Sequence, residues 1–313
     1  MSDELKPMRL AVGQALVEYG KSNPDLVVLD ADTSSSTQTR YFAEAFPERF
    51  FNVGISEANM VAIASGLSRT GKVPFVASFA FLLAFRAGDQ VRSQVAYGNL
   101  NVKLLGGYAG LSDFADGASH QSVADLAVMR SLPNMTVVCC ADLTEADQVV
   151  GAALEHRGPV YIRVSRAECP RLFDPRNHPF QLGKGIRLKN GEDITLIATG
   201  TMVEPALKAS EELSKEGIGA SVIEMHTIKP IDRECILEAA RKTRAIVTCE
   251  EGTILGGLFS AVSEVVVQSH PVPVFPIGIR DRFGETGRYP ELLKSYGLNV
   301  ESIVETARRG LGD

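Results

Sequence analysis

The chain has 313 residues, of which 45% are hydrophobic and 22% charged, and its formal net charge is −6. A length of roughly twice the usual domain size predicts two compact domains and excludes a small disulfide-stapled module. The ordinary composition excludes collagen-like and disordered chains. The acidic balance argues against sequence-independent nucleic-acid binding, which needs a basic field.

The sequence contains neither an apolar run of about eighteen residues nor the apolar core of a signal peptide. We therefore expect a cytoplasmic protein. The cysteines are odd in number and show no metal-ligand spacing, so we expect reduced thiols, mostly in strands. They are Cys139, Cys140, Cys169, Cys235 and Cys249.

Short apolar runs alternate with segments of helical period, which is typical of βαβ units with mainly parallel sheets. The predicted strands are 25–31, 51–54, 74–79, 102–107, 136–141, 160–164, 193–199, 220–225, 244–249 and 272–277. The predicted helices are 37–45, 56–70, 83–97, 123–131, 144–156, 204–216, 233–241, 257–268 and two more that close the chain.

The alternation stops between residues 166 and 184, where three prolines occur without an apolar period. We interpret this stretch as a linker. The expected organisation is a first domain at 1–168, a linker at 169–185 and a second domain at 186–313. Each domain is expected to be a three-layer α/β unit with a mainly parallel sheet.

Parallel sheets bind ligands at the carboxyl ends of their strands, so we expect functional residues in the loops there. The first loop, from Asp30 to Thr37, is rich in hydroxyls and suits either a helix N-cap or an anion site. In the second, Glu57 falls in the first turn of a helix, where it either stabilises the helix dipole or relays a proton.

The third loop carries Phe79, Phe81, Leu82 and Phe85, and this spacing favours core packing over a cofactor platform. The fourth loop is long and contains Asp116, Ser119 and His120. A long loop that carries these three residue types between a strand and a helix favours a functional role.

Motifs along the whole chain resemble the carboxyl-terminal half of transketolase, and more narrowly the second subunit of a split, two-gene transketolase. The matching motifs are Ala31-Asp32 with Ser36, Gly54-Ile55-Ser56-Glu57 with Met60, Phe79, Asp116-Gly117-Ala118-Ser119-His120-Gln121, Arg130 before Leu132-Pro133-Asn134, Ser165-Arg166, Glu251-Gly252 with Gly256-Gly257, and Phe283-Gly284-Glu285-Thr286-Gly287. The resemblance implies a thiamine-diphosphate-dependent transferase of carbohydrate metabolism that moves a two-carbon ketol unit from a ketose to an aldose.

The resemblance also implies roles in cofactor binding. The first domain would be the pyrimidine-binding domain and the second the transketolase C-terminal domain. Glu57 would bind the ring nitrogen N1′ of the aminopyrimidine and favour the imino tautomer that deprotonates the thiazolium. Phe79, Leu82 and Phe85 would flank the ring, and Asp32 would complete the cofactor site.

On the substrate side, the resemblance implies that His120 is a hydrogen-bonding or proton-transfer partner and that Asp116 faces the substrate hydroxyls. Arg166 and Ser36 would bind the phosphate of a sugar phosphate. Tyr108 replaces a substrate-binding histidine that transketolases commonly have. This departure leaves the acceptor sugar open.

Other departures are Phe114-Ala115 for a Gly-Glu pair, Ser56 for arginine and Ala58 for histidine. The chain has no Gly-Asp-Gly motif, which in this family helps to hold the diphosphate and its metal. The resemblance therefore implies that an amino-terminal partner subunit binds the diphosphate and Mg²⁺, or another divalent metal, in an α2β2 heterotetramer. No metal ligand is assigned to this chain.

Three alternatives remain open. A β subunit of a 2-oxo acid dehydrogenase shares the two-domain plan and the Ile-Ser-Glu setting, but should lack the loop from Asp116 to Gln121. A 1-deoxyxylulose-phosphate-synthase-like enzyme is the second. A non-catalytic regulatory homologue is the third, although it would have no chemical need for Glu57, Asp116, His120 and Arg166 together.

Overall fold

The computed structural model describes residues 5–312. Its strands are β1 Lys6–Pro7, β2 Leu26–Asp30, β3 Phe50–Asn52, β4 Val73–Phe79, β5 Lys103–Gly107, β6 Thr136–Cys139, β7 Val160–Arg163, β8 Glu168–Cys169, β9 Ile186–Lys189, β10 Ile194–Ala198, β11 Ala220–Glu224, β12 Thr227–Lys229, β13 Ala245–Thr253 and β14 Val274–Ile279. Its α-helices are α1 Met8–Ser22, α2 Ser34–Thr37, α3 Arg40–Ala45, α4 Glu57–Arg69, α5 Gly88–Gln90, α6 Asp125–Ser131, α7 Leu143–Glu155, α8 Val203–Lys215, α9 Arg233–Lys242, α10 Leu258–Ser269, α11 Tyr289–Ser295 and α12 Val300–Leu311.

Two large sheets organise the fold. The first has the strand order β12-β6-β7-β5-β4-β2-β3, and the second has the order β14-β13-β10-β11-β9. Neighbouring strands are parallel except at two edges, where β12 is antiparallel to β6 and β9 is antiparallel to β11. The prediction of an α/β fold with mainly parallel sheets is confirmed.

Both faces of the first sheet are buried, as expected for parallel strands flanked by helices. Along β2, Leu26 and Val28 pack in one apolar cluster with Met8 of α1. The alternate residue Leu29 packs on the other face with Met60 of α4. The near-continuous apolar run in the sequence therefore corresponds to a strand between two helical layers.

The two halves of the chain share a hydrophobic core. Leu104 of the first sheet belongs to the same buried cluster as Ile223 and Ile246 of the second sheet and Val262 of α10. The short strand β12 also comes from the second half of the sequence, yet it extends the first sheet. The packing of the two sheets is therefore continuous.

Several elements were not predicted. The helix α1 was missed, although its buried residues Met8, Val12 and Leu16 recur at helical spacing. The predicted helix at 83–97 is instead broken into π-helical turns at Leu82–Arg86 and Val91–Ala96 around the short α5. The strands β1, β8, β9 and β12 were also missed, since two- to four-residue strands carry little periodicity of their own.

All five cysteines are free. Cys139, Cys169 and Cys249 lie in strands, as expected, whereas Cys235 lies in α9. Within residues 5–312, no helix combines the length and the apolar character that crossing a bilayer would require.

Candidate active site

Glu57 begins α4 directly after the loop that follows β3. Its side chain is 1% exposed, and its carboxylate accepts hydrogen bonds from Arg86, with Nη1 at 3.0 Å from Oε2 and 3.3 Å from Oε1. A carboxylate at the first turn of a helix is favoured by the helix dipole. Arg86, which is half exposed, supplies the opposite charge.

Aromatic rings cluster at the carboxyl ends of β4 and β5. Phe79 stacks on Tyr108 with ring centroids 4.3 Å apart and an interplanar angle of 20°. The imidazole of His120 meets the rings of Phe79 and Phe81 edge-on, at 6.2 Å and 5.3 Å. The structure thus brings together three of the residues predicted for the site, namely Phe79, Tyr108 and His120.

The two other apolar residues predicted to flank the cofactor differ in environment. Leu82 is buried, with 6% of its surface exposed, as core packing would require. Phe85 is 56% exposed, so the expectation that it packs in the core is wrong. The π-helical turn at Leu82–Arg86 places these two residues in different surroundings and also carries Arg86.

Two arginines lie against Tyr108. Arg9 donates from Nη1 to the Tyr108 hydroxyl at 2.6 Å and to the backbone carbonyl of Ser36 at 2.8 Å. The guanidinium carbons of Arg9 and Arg166 lie 5.3 Å and 4.9 Å from the centroid of the Tyr108 ring, within cation–π range. Within residues 5–312, the buried Nε of Arg9 has no hydrogen-bond partner. Arg9 therefore retains a donor that a further acceptor can use.

Arg166 also contacts two acids on the fourth loop. Its Nη1 lies 2.8 Å from Asp113 Oδ1 and 3.8 Å from Asp116 Oδ2. Burial, reinforced by the neighbouring Asp116, raises the pKa of Asp113 to about 6, even though Arg166 favours its charged form. Asp113 is therefore a carboxyl group that titrates close to neutrality beside the arginine.

The hydroxyl-rich first loop folds around a buried carboxylate. The hydroxyls of Thr33, Thr37 and Thr39 donate to Asp30 Oδ2 at 3.0 to 3.3 Å. No side-chain hydrogen bond caps the short helix α2. The threonines therefore satisfy Asp30, so the N-cap interpretation is wrong for α2. The anion-site interpretation of this loop stays a prediction.

The predicted cofactor residue Asp32 follows β2 and is exposed. Its backbone N–H donates to Asn52 Oδ1 at 3.2 Å, and its carboxylate accepts from Asn52 Nδ2 at 3.3 Å. Its positive φ of 64° places it in the left-handed region, where aspartate is tolerated better than most residues. Asp32 is thus fixed at the carboxyl edge of β2 and β3.

The fourth loop is held by the second half of the chain. Glu251 Oε1 accepts the N–H of Leu111 at 2.7 Å, and Gln121 Nε2 donates to the carbonyl of Glu285 at 2.9 Å. Gly110 has a φ of +64°, and a Cβ there would overlap the Glu251 carboxylate. The loop geometry therefore depends on contacts between the two sheets.

Sequence reasoning missed Arg9, Arg86 and Asp113. Arg9 lies in the unpredicted helix α1, and nothing in its sequence surroundings marks it. Arg86 is the single charge in the apolar run from Phe79 to Ala87, which is a signal that could have been used. Asp113 precedes the motif around Asp116 and carries no signal of its own.

Two protein-family models together account for nearly the whole chain. Residues 5–171 match the transketolase pyrimidine-binding domain, and residues 183–303 match the transketolase C-terminal domain. The chain belongs to the transketolase family. A Methanocaldococcus jannaschii protein provisionally named a transketolase C-terminal section is 45% identical over 307 residues, which cover 97% of this chain and 96% of that protein.

Other members of the family point to the split form. The 6-deoxy-6-sulfo-D-fructose transketolase subunit of a Clostridium species (strain MSTE9) is 42% identical over 93% of this chain and 90% of that protein. A solved structure described as a split gene transketolase, inactive beta4 tetramer, is 46% identical, has a TM-score of 0.89 and covers 98% of both chains. This chain is accordingly a transketolase-type subunit.

The 1-deoxy-D-xylulose-5-phosphate synthase alternative is more distant. Such synthases are 36% to 38% identical to this chain, which spans only 46% or 47% of their length. The transketolase subunits above match along almost their entire length. The comparisons therefore favour transketolase over the synthase.

The ion pair at Glu57 allows a test of how this carboxylate is stabilised. Replacing Arg86 by alanine leaves a buried carboxylate without its partner, so the free energy of unfolding should fall by about 1–3 kcal/mol. Urea denaturation measures this change. The matched control is Arg92→Ala, which removes a pair between two exposed side chains and should cost no more than about 0.5 kcal/mol. Equal losses in the two variants would contradict a special role for Arg86.

Proposed function

We propose that this chain is the carboxyl-terminal subunit of a split transketolase, and that it transfers a two-carbon ketol unit between a ketose and an aldose once its partner is bound. The observation that carries the proposal is the position of the buried Glu57. It is the first residue of α4 and lies at the carboxyl end of the first sheet, where Phe79 ends β4. Both lie in a chain that matches the two transketolase domains.

The residues present fit the aminopyrimidine ring of thiamine diphosphate, on which this family depends. In residues 5–312 the only hydrogen bonds to the Glu57 carboxylate come from Arg86, so its oxygens can accept a further N–H. The exposed ring of Phe85 and the half-buried ring of Phe79 are flat apolar surfaces suited to a heteroaromatic ring. The accepting carboxylate and the two aromatic rings together support pyrimidine binding by the first domain.

When bound, thiamine diphosphate supplies a carbon nucleophile and an electron sink. Glu57 would accept a hydrogen bond from ring nitrogen N1′ and so favour the imino tautomer, while Arg86 would orient the carboxylate. His120 faces the substrate with its imidazole set by Ser119, whose Oγ lies 2.9 Å from Nδ1. The free Nε2 is the atom that exchanges a hydrogen bond or a proton with a sugar hydroxyl.

The anionic end of the substrate binds at the arginines. Arg9 and Arg166 flank Tyr108 next to Ser36, and a guanidinium donates well to the oxygens of phosphate or sulfonate groups. One relative is named for a sulfonated sugar, and sulfonate presents oxyanions much as phosphate does. Asp116 is exposed, lies 3.8 Å from Arg166 and would face the sugar hydroxyls.

The diphosphate and its Mg²⁺ are assigned to an amino-terminal partner subunit in an α2β2 assembly. Within the described residues, the one group of three side chains that could hold a metal lies near β6, five strands from β3 and the adjoining Glu57. The exposed apolar residues Ile55 and Phe85 lie next to Glu57 and its partner Arg86 in the sequence and suit a protein interface. The inactive description of the homologous β4 tetramer supports the need for a partner.

The proposal is tested by reconstitution. The pure chain should show no ketol transfer and weak binding of thiamine diphosphate, because half of the site is missing. Adding the amino-terminal subunit should produce both, measured by coupled assay and by calorimetric titration of the cofactor with Mg²⁺. Turnover by the pure chain would contradict the proposal, and decarboxylation of 2-oxo acids by the mixture would favour the dehydrogenase alternative.

Glu57→Gln tests the proposed chemistry. The amide preserves size and assembly but cannot favour the imino tautomer, so kcat of the reconstituted enzyme should fall by at least about 100-fold. Subunit association, followed by analytical ultracentrifugation, should be unchanged. The control is Glu44→Gln, a change at an exposed position of α3. Near-normal turnover of the Glu57 variant would remove this residue from the mechanism.

Arg9→Ala tests the anion site. Loss of a charge-assisted donor should raise KM for a phosphorylated or sulfonated substrate by about 10-fold to 100-fold, with a much smaller change in kcat. KM for an uncharged sugar should remain close to that of the unmodified enzyme. Arg241→Ala, at an exposed position of α9, serves as control. A similar rise in KM for charged and uncharged sugars would show that Arg9 supports the fold rather than the anion.

A further inference from the structure

A second cluster of ionisable groups lies at the seam between the two halves of the chain. Glu145 is in the first turn of α7, Glu224 ends β11, and His226 follows two residues later. All three are completely buried. They lie apart from Glu57, because β6, which leads into α7, and β3 are five positions apart in the first sheet.

The three side chains face one another. Potential donor atoms of Glu145, Glu224 and His226 all lie within 4.8 Å of each other. Within residues 5–312, Glu224 has no hydrogen-bond partner other than the neighbouring Glu145 carboxyl group, and Nε2 of His226 has none. Leaving such groups buried without partners is costly, so their convergence points to a ligand between them.

Surrounding residues orient these side chains. Nδ1 of His226 lies 2.7 Å from the hydroxyl of Thr227, which leaves Nε2 as the ring nitrogen free to bind a ligand. Glu145 accepts the N–H of Ala141 at 2.8 Å and is contacted by His178 Nε2 at 2.9 Å. Metal-binding histidines and carboxylates are usually held in this way by hydrogen bonds from a surrounding layer.

The described cation contacts of the cluster are limited to one imidazole, since His178 Nε2 lies 2.9 Å from Glu145 Oε1 and is charged only when protonated. Among residues 5–312, no lysine or arginine hydrogen-bonds to either carboxylate. A divalent cation would neutralise two carboxylates and accept the lone pair of a neutral imidazole.

We propose that Glu145, Glu224 and His226 bind one divalent transition-metal ion, Zn²⁺, and that His178 positions Glu145. An imidazole nitrogen among the donors favours Zn²⁺ over Mg²⁺ or Ca²⁺, which prefer oxygen. Metal–ligand distances of about 2.1 Å require the donors to draw together by small side-chain rotations.

The metal would join three parts of the chain. Glu145 belongs to the first sheet and its helices, Glu224 and His226 to the second half, and His178 to the segment that connects them. That segment covers the cluster, since His178 stacks on Phe173 at 4.0 Å and His226 on Phe180 at 4.3 Å. The ion would thus stabilise the relative placement of the two halves without taking part in ketol transfer.

Metal analysis of the tag-free chain is the first test. Two preparations are analysed after gel filtration: the protein as purified, and protein warmed with a chelator and then supplied with Zn²⁺. Either should contain about one zinc ion per chain. Removal of zinc should lower Tm, and its return should restore Tm. Absence of stoichiometric metal in both preparations would overturn the proposal, and the same amount of iron or manganese would overturn the assignment to zinc.

Glu224→Gln separates a metal site from a proton shared by two carboxyl groups. Glutamine mimics a protonated glutamate. If the two carboxyl groups share a proton, the variant should have an equal or higher Tm, and neither it nor the unmodified protein should bind zinc. The metal site predicts at least a 10-fold loss of bound zinc and a Tm that no longer responds to zinc.

His226→Ala should lose zinc in the same way, whereas the exposed control His270→Ala should retain it. Retention of zinc by both cluster variants would place the ion elsewhere and contradict the proposal. Should either variant fail to fold, the zinc content of the unmodified protein still decides. None of these measurements depends on enzymatic activity, so their outcome is independent of the transketolase assignment.

Discussion

The geometry of the candidate site depends on the hydrogen bonds that the buried carboxylate of Glu251 accepts. One oxygen accepts the N–H of Leu111 at 2.7 Å, and the other accepts the hydroxyl of Tyr289 at 2.7 Å. Its backbone carbonyl accepts from Arg163 at 2.8 Å. Because a buried carboxylate is tolerated only when its oxygens are satisfied, the fourth loop and the second half of the chain are held in one arrangement.

In this arrangement, Glu57 and the two arginines Arg9 and Arg166 lie at different ends of the site. At one end, Glu57 is an acid whose only described partner is the half-exposed Arg86. At the other, Arg9 and Arg166 converge on the Tyr108 ring. The first end suits a ring that donates N–H groups, and the second suits an oxyanion. Both ends lie at the carboxyl edge of the first sheet, where parallel topology gathers the loops.

The order of the first sheet separates Glu57 from the buried acids near β6, since β3 and β6 are five positions apart. Glu145 follows β6, Glu224 ends β11 of the second sheet, and the connecting segment contacts this cluster through His178 and Phe180. The acids near β6 are completely buried, whereas Glu57 is paired with the half-exposed Arg86. The two groups of carboxylates therefore lie in different environments of one fold.

By itself, the sequence determined the α/β class and the main strands, and it singled out Glu57 and His120 by their positions in strand-end loops. These follow from local properties, because apolar periodicity and strand-end position can be read from consecutive residues. Phe79 and Arg166 were assigned to the site only through the family resemblance. The roles of these residues remain predictions, and the family resemblance from which they came is confirmed by matches along the chain.

Only the tertiary structure decided which distant residues meet. Arg9 reaches Tyr108 across 99 positions of sequence, and β12 joins the sheet of the other half of the chain. The meeting of Glu145 with Glu224 has the same origin. Such contacts depend on how helices and sheets pack, and that packing cannot be read from a local pattern of residues in the sequence.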